Sequence, residues 1–356
     1  MAYTNIDDPS AHFQTKIYSG QNSQLAVTND GNSNLKPDWL WIKSRNDADI
    51  HVITDSTRGT DLYLSTNNDL GEVSSTADVE AFGTDGFTVN GPNDRVNTGG
   101  GLYVAWQWKA AGGTTSSNSD GGITTTIQAN TTAGFSIVTY TGNGATGQTV
   151  GHGLGAVPKM IISKDRGGSS NVPTWRCYHE AIGPTKYLQM PQTDAASTFT
   201  DWNDTAPTSS VYSIGGSGGY RPTNTNSTNY VAYVFAEVQG FSKFGSYVGN
   251  GNANGPFVYT GFKPAWVLVK KSSAAGDAWA IFDNKRSDFN VIGKEIAANE
   301  SSAEYVRTAA NTDFLSNGFK IRNTDGWHNT SGATYIYMAF AESPFTSSTG
   351  IPTTAR

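Results

Sequence analysis

Three landmarks recur in one order along this chain, and a recurrence of that kind limits the fold more than any single motif does. The first is a Tyr-x-Gly turn: YSGQNS (18–23), YTGNGATG (140–147) and YVGNGNANG (247–255). The second is a Pro-led apolar strand ending in lysine: KPDWLWIK (36–43), VPKMIISK (157–164) and KPAWVLVK (263–270). The third is an aromatic strand: GLYVAWQWKA (101–110), NYVAYVFAEV (229–238) and TYIYMAFAE (334–342). From the turn tyrosine to the strand lysine the spacing is 25, 24 and 23 residues; from that lysine to Trp108, Phe235 or Phe340 it is 65, 71 and 70. Between them HVITDS (51–56), WRCYHE (175–180) and WAIFDN (279–284) align, as do GFTVN (86–90), VYSIG (211–215) and GFKIR (318–322).

The repeat predicts three tandem units of about 100 residues, a common domain size. Their bounds are 12–111, 132–238 and 239–345, with tails at 1–11 and 346–356. Segment 112–131 is rich in Gly, Ser and Thr and nearly uncharged, which reads as a flexible linker. Nothing comparable separates the second unit from the third, so those two are expected to be coupled and the first more loosely attached. The tails read as arms that could dock on neighbours.

Charged residues make up only 15% of the chain, aromatics 12%, and Gly accounts for 40 of 356 positions. Aromatic and β-branched residues joined by turn formers favour an all-β fold. Each unit offers six to eight short strands by this pattern, as in a β-sandwich of jelly-roll or lectin-like type. The strand YVAYVFAEV is apolar on both alternating faces, with Tyr230, Ala232, Val234 and Ala236 on one and Val231, Tyr233 and Phe235 on the other. Such a strand is covered on both sides. The best helical stretch is 296–306 (IAANESSAEYV).

Several chemistries lack their signatures. The loop YVGNGNANG has neither the P-loop nor the dinucleotide pattern, and carries no carboxylate for calcium. It reads as a glycine-permitted turn. The single cysteine, Cys177, excludes an intrachain disulfide and lies among aromatics as a buried thiol would. The five histidines, 12, 51, 152, 179 and 328, form no HExxH or HxH pair. Glu237 and Glu342 hold matched positions, but in separate repeats, and read as strand-end carboxylates rather than a glycosidase pair. No cofactor, metal ion or catalytic residue is expected, and the chain reads as a non-enzyme. A net charge of −6 without a basic run disfavours nucleic acid. MAYTNIDDPS resembles no signal peptide, and no apolar run is long enough to cross a bilayer.

Six residues remain as candidate surface contacts. Asp55-x-x-Arg58 recurs as Asp283-x-x-Arg286, while the second unit has His179 at the matched acidic position. A charge pair that fixes a loop is the favoured reading, a ligand contact the sharper one. Most of the nine tryptophans sit in strands and read as core. Trp202 (TDWNDT) and Trp327 (DGWHNT) lie in polar loops, where a ring could stack on a sugar.

The run 236–270, together with LSNGFKIR (315–322) and YIYMAFAESPF (335–345), resembles a repeated domain of unknown function found in virion structural proteins of marine bacteriophages such as cyanophages. The first unit departs from that pattern, lacking the FAE ending and the GNG turn. The resemblance implies a phage structural protein of tail-fibre, spike or capsid-decorating type, made in the host cytoplasm and located in the virion. Its implied partners are other virion proteins, further copies of the chain (a trimer fits) and a host-surface glycan. A glycan-binding adhesin is the alternative, and a polysaccharide-degrading spike enzyme stands behind it.

Overall fold

The structure, a computed structural model, describes residues 2–167, 175–215, 222–287, 289–307 and 312–353. Among these residues the chain is all-β. Its strands form three large sheets, each facing a small one. The first large sheet runs Phe13–Ser19, Leu102–Trp108, Trp39–Ser44, Val52–Asp55, Gly59–Leu64 and Val73–Ser74 from edge to edge. The third repeats that order with Ser242–Val248, Thr334–Pro344, Phe262–Lys271, Ala280–Asp283, Lys294–Ala297 and Tyr305–Val306. The second does so with Phe135–Thr141, Asn229–Ala236, Pro158–Asp165, Trp175–His179, Lys186–Gln189 and Ser197–Thr198. The small sheets are Leu25–Thr28, Gly86–Val89 and Val79–Gly83; Gln148–Gly151 and Val211–Ile214; and Phe257–Tyr259, Gly318–Ile321 and Thr312–Leu315. All the strand pairings are antiparallel.

Alternation along the central strands explains how the three pairs of sheets meet. Leu40 and Ile42 point into the first pair's own core, while Trp39 and Trp41 point the other way. In the second pair Tyr230, Ala232, Val234 and Ala236 fill the private core, and Val231, Tyr233 and Phe235 leave it. The third divides Val267 and Val269 from Trp266 and Leu268. The outward rows of all three sheets then join in one shared core. At its centre Trp108 meets Phe340 at 5.6 Å between ring centroids, and Phe235 meets Phe340 at 6.0 Å. Trp39 spans the remaining side, 4.3 Å from Trp108 and 5.8 Å from Phe235. Each large side chain buried there contributes about 1.5–3 kcal/mol.

Segment 112–131 is not a structureless linker. Its residues Ser116–Asn118 form an edge strand, and Thr125–Asn130 pairs with Phe135–Thr141, enlarging the second sheet to eight strands. The β-branched run ITTTI supplies this strand, and Ile127 packs in the second pair's core. Nor is the first sheet pair loosely held, since four of its tryptophans lie in the shared core. The amino-terminal residues also pack within the chain. Ile6 joins the shared core, and Asp8 caps the short 3-10 helix Pro9–Ala11. Asp7 bonds Ser348, and Tyr3 donates to the Gly261 carbonyl at 2.7 Å. The stretch expected as helix, 296–306, instead carries the end of the strand Lys294–Ala297 and the whole of the short strand Tyr305–Val306, because Ile296 and Ala297 follow the sheet's alternation into the buried faces. The one described α-helix is the single turn Gly326–Asn329. Pro158 opens its strand as expected, but Pro264 lies inside its strand at a bulge, where the missing N–H is tolerated.

The Tyr-x-Gly turns are built alike. Tyr18, Tyr140 and Tyr247 stack on Tyr103, Tyr230 and Tyr335 at 5.2, 5.0 and 5.1 Å. The glycine of each turn lies so close to a neighbouring backbone that a Cβ would stand 2.3 Å from the carbonyl oxygen of Thr98, Thr225 or Thr330. Only glycine fits there.

Candidate functional site

The three sheet pairs close head to tail, and the bonds at each junction repeat. The backbone N–H groups of Glu72, Ala196 and Glu304 donate to the carbonyls of Arg166, Ser272 and Arg45 at 2.8, 2.9 and 2.8 Å. Each donor belongs to one pair and each acceptor to the next. A ring nitrogen makes the second shared contact. Trp175 Nε1 donates to Ser65 O at 2.8 Å and Trp279 Nε1 to Gln189 O at 3.1 Å. His51 holds the matched place, with Nε2 3.1 Å from Ala297 O. Because His51 Nδ1 accepts the Trp41 indole N–H at 2.8 Å, Nε2 carries the proton. Burial pushes the His51 pKa down to about 3, so the ring is neutral.

Four of the six candidate contact residues lie in these junctions and are not at the surface. Arg58 Nε binds Asp55 Oδ2 at 2.5 Å, with both side chains wholly buried. The Tyr233 hydroxyl of the second pair donates to the same oxygen at 2.8 Å. Arg58 also reaches Glu72 at 2.8 Å, and Glu72 takes two bonds from Arg166. The third pair repeats this against the first: Arg286 Nε binds Asp283 Oδ2 at 2.6 Å, and Trp106 Nε1 donates to that oxygen at 3.0 Å. Glu304 then bridges Arg286 and Arg45. The ion pair therefore fixes a loop, and also joins two sheet pairs. At the remaining junction His179 Nε2 donates to Tyr337 O at 3.1 Å while Nδ1 accepts from Ala181 N. Burial lowers its pKa to about 4.

Trp202 does not lie at the surface as expected: only 1% exposed, it packs on Tyr178 and Tyr212 in the second pair's core. Its polar neighbours in sequence misled, since Asp201 is itself buried, 3.5 Å from Arg176. Trp327 is half-buried at the helical turn, where Asp325 accepts its N–H. The Arg307 guanidinium stands 4.7 Å from the centre of its ring and Tyr305 meets it edge-on. Of the six, only Trp327 stays near solvent, and the cation already lies against its ring.

Each repeat also has a buried asparagine that is not among the six candidates. Asn97, Asn224 and Asn329 are wholly buried and precede the strand tyrosines Tyr103, Tyr230 and Tyr335 by six residues each. Asn329 Oδ1 accepts the Asn250 N–H at 2.8 Å, and Nδ2 donates to Asn252 O and Asn323 O, both at 2.7 Å. The following threonine N–H donates to the tyrosine hydroxyl in each repeat, at 2.9, 2.9 and 2.8 Å. The dipeptide Asn-Thr before each aromatic strand was the available signal.

The repeat lysines Lys43, Lys164 and Lys270 are buried, and burial pulls each pKa down to about 8. Lys270 spends its protons on the carbonyls of Thr193 and Asp277 at 3.0 and 2.8 Å. Cys177 is wholly buried and burial pushes its thiol pKa up, away from nucleophilic use. Among the described residues no three His, Cys, Asp or Glu side chains are gathered to hold a metal ion. No described helix is long and apolar enough to cross a membrane.

Comparison with curated proteins and with solved structures gave no significant match. A family described as a domain of unknown function (DUF7483) matches residues 8–344 and so takes in all three sheet pairs together. The chain belongs to the DUF7483 family.

Proposed function

We propose that this protein is a structural component of a bacteriophage particle, displayed on its surface and contributing to attachment to the host. The observation that carries this reading is the closed ring of three sheet pairs on one aromatic core. Such a body is stiff, because each pair is held on two sides by hydrogen bonds and by shared packing. It works by geometry: the loops of three lobes are presented at fixed angles, and many copies on one particle multiply weak contacts through avidity. The likeness of 236–270, 315–322 and 335–345 to a phage virion domain supports the same reading. Whether the body sits on the head or the tail is decided by imaging particles that carry a label on this chain. Mass spectrometry of purified particles is the direct test, and a complete absence of the chain from them sinks the proposal.

A further inference from the structure

A groove runs along the junction between the first and third sheet pairs and continues over the third. Its inner hollow, about 200 Å³, lies between Phe13, Thr15 and Asp30 on one side and Asn284, Lys285 and Glu342 on the other. A second hollow of about 430 Å³ shares Asn284, Lys285 and Glu342 with it and adds Phe289 and Asn290. A third, about 620 Å³, shares Lys263, Asn290, Phe314 and Glu342 with the second. The three hollows share walls and lie side by side as an open channel rather than a closed pocket.

Its chemistry selects a ligand class. The charged groups are already paired: Lys285 Nζ lies 3.0 Å from Asp30, and Lys263 Nζ 2.8 Å from Glu342. Lys16 gives Asp30 a second cation at 3.1 Å, and Asn284 donates to Glu342 at 2.9 Å. An ionic ligand would have to compete with these pairs, whereas an uncharged one leaves them in place. The rest of the lining is rich in amides and hydroxyls, which donate and accept. Two features ask for a partner. Phe289 is 84% exposed at the edge of the channel, an apolar ring that gains by being covered. Thr15 is only 4% exposed, and its Oγ1 has no hydrogen-bond partner.

We infer that this channel binds an uncharged oligosaccharide, a chain whose hydroxyls meet the amides and Thr15 while one sugar face covers Phe289. The inference does not rest on the virion reading, because the isolated protein tests it without any particle.

The purified protein is applied to an array of neutral oligosaccharides (glucans, mannans and galactans) beside sulfated and uronate glycans, and hits are titrated by calorimetry. Binding confined to neutral chains is expected. Phe289→Ala, at an exposed position, should weaken it about tenfold, as loss of one contact of about 1.4 kcal/mol does. Thr15→Val should leave the fold as stable or more so while weakening binding, a combination that a purely structural hydroxyl does not give. Trp327→Ala should change nothing. The inference is overturned if no neutral oligosaccharide binds, if anionic glycans are preferred, if both groove variants bind like the parent, or if Trp327→Ala abolishes binding.

Discussion

Trp106 donates its indole N–H to Asp283 Oδ2 at 3.0 Å, across 177 residues of sequence, and Arg286 holds the same oxygen at 2.6 Å. One carboxylate thereby serves as the anchor of its own loop and as the latch of a neighbouring sheet pair. Arg286→Ala leaves that carboxylate buried with its cation gone, and should cost about 3–5 kcal/mol. Replacing both charges, as Asp283→Leu with Arg286→Met, should cost much less. Urea unfolding of both variants checks the contrast; equal losses would refute it.

The acid side of the stability profile should carry a histidine signature. His51 and His179 have folded pKa values of about 3 and about 4 against 6.5 unfolded. Depressed values mean that the unfolded state binds the extra proton, so their contribution is full above pH 6.5 and is lost as pH falls towards 4. His179→Gln should flatten the profile in that window relative to the parent chain. Urea midpoints measured at several pH values give the slopes, and parallel profiles would disprove the assignment.

The alkaline side should rise. Lys43, Lys164 and Lys270 are lowered to about 8 from 10.5, so between those values the unfolded chain holds protons that the folded chain has released. Stability should therefore increase with pH across that interval until tyrosine ionisation opposes it. Lys270→Met should reduce the increase, and an unchanged slope would count against a buried ammonium there.

Asn329 should be the most sensitive residue of the Gly-Asn turn. It is wholly buried and its amide closes bonds to Asn250, Asn252 and Asn323. Asn329→Ala strands those groups and should cost about 1–3 kcal/mol. Asn254→Ser, in the exposed part of the turn, should cost little. A thermal melt of each variant decides, and similar melting temperatures would remove the asparagine from its role.

A single sheet pair should not survive alone. Residues 242–345, expressed by themselves, would expose Trp266, Trp279, Phe244 and Phe340 of the shared core to water. The fragment should aggregate or bind a hydrophobic dye strongly. A monomeric fragment with sharp side-chain NMR signals would show that the shared core is dispensable.

The strand positions and the two-faced burial were legible because alternation in YVAYVFA states both faces outright. What covered the second face was not, since nothing local says whether a lipid, a partner or another part of the chain lies there. Segment 112–131 reads as a linker because low charge and glycine outweigh ITTTI, whose β-branched side chains carry the strand signal. Trp202 shows the same limit from the other side. Its neighbours are polar, yet Asp201 is buried beside Arg176, and only the tertiary fold brings that cation near. The groove of Thr15, Asn284 and Phe289 had no signature at all, because its walls come from segments some 270 residues apart.

Closing the ring within one polypeptide has a hereditary consequence. In an assembly of three identical chains, every substitution would appear at all three junctions together. Here the Asp–Arg latch stands at two junctions while His179 serves the third, and the channel beside Asn284 is formed at one. Each lobe can therefore change by single mutations while the other two preserve the frame, and a new surface can arise in one copy without being imposed on all three.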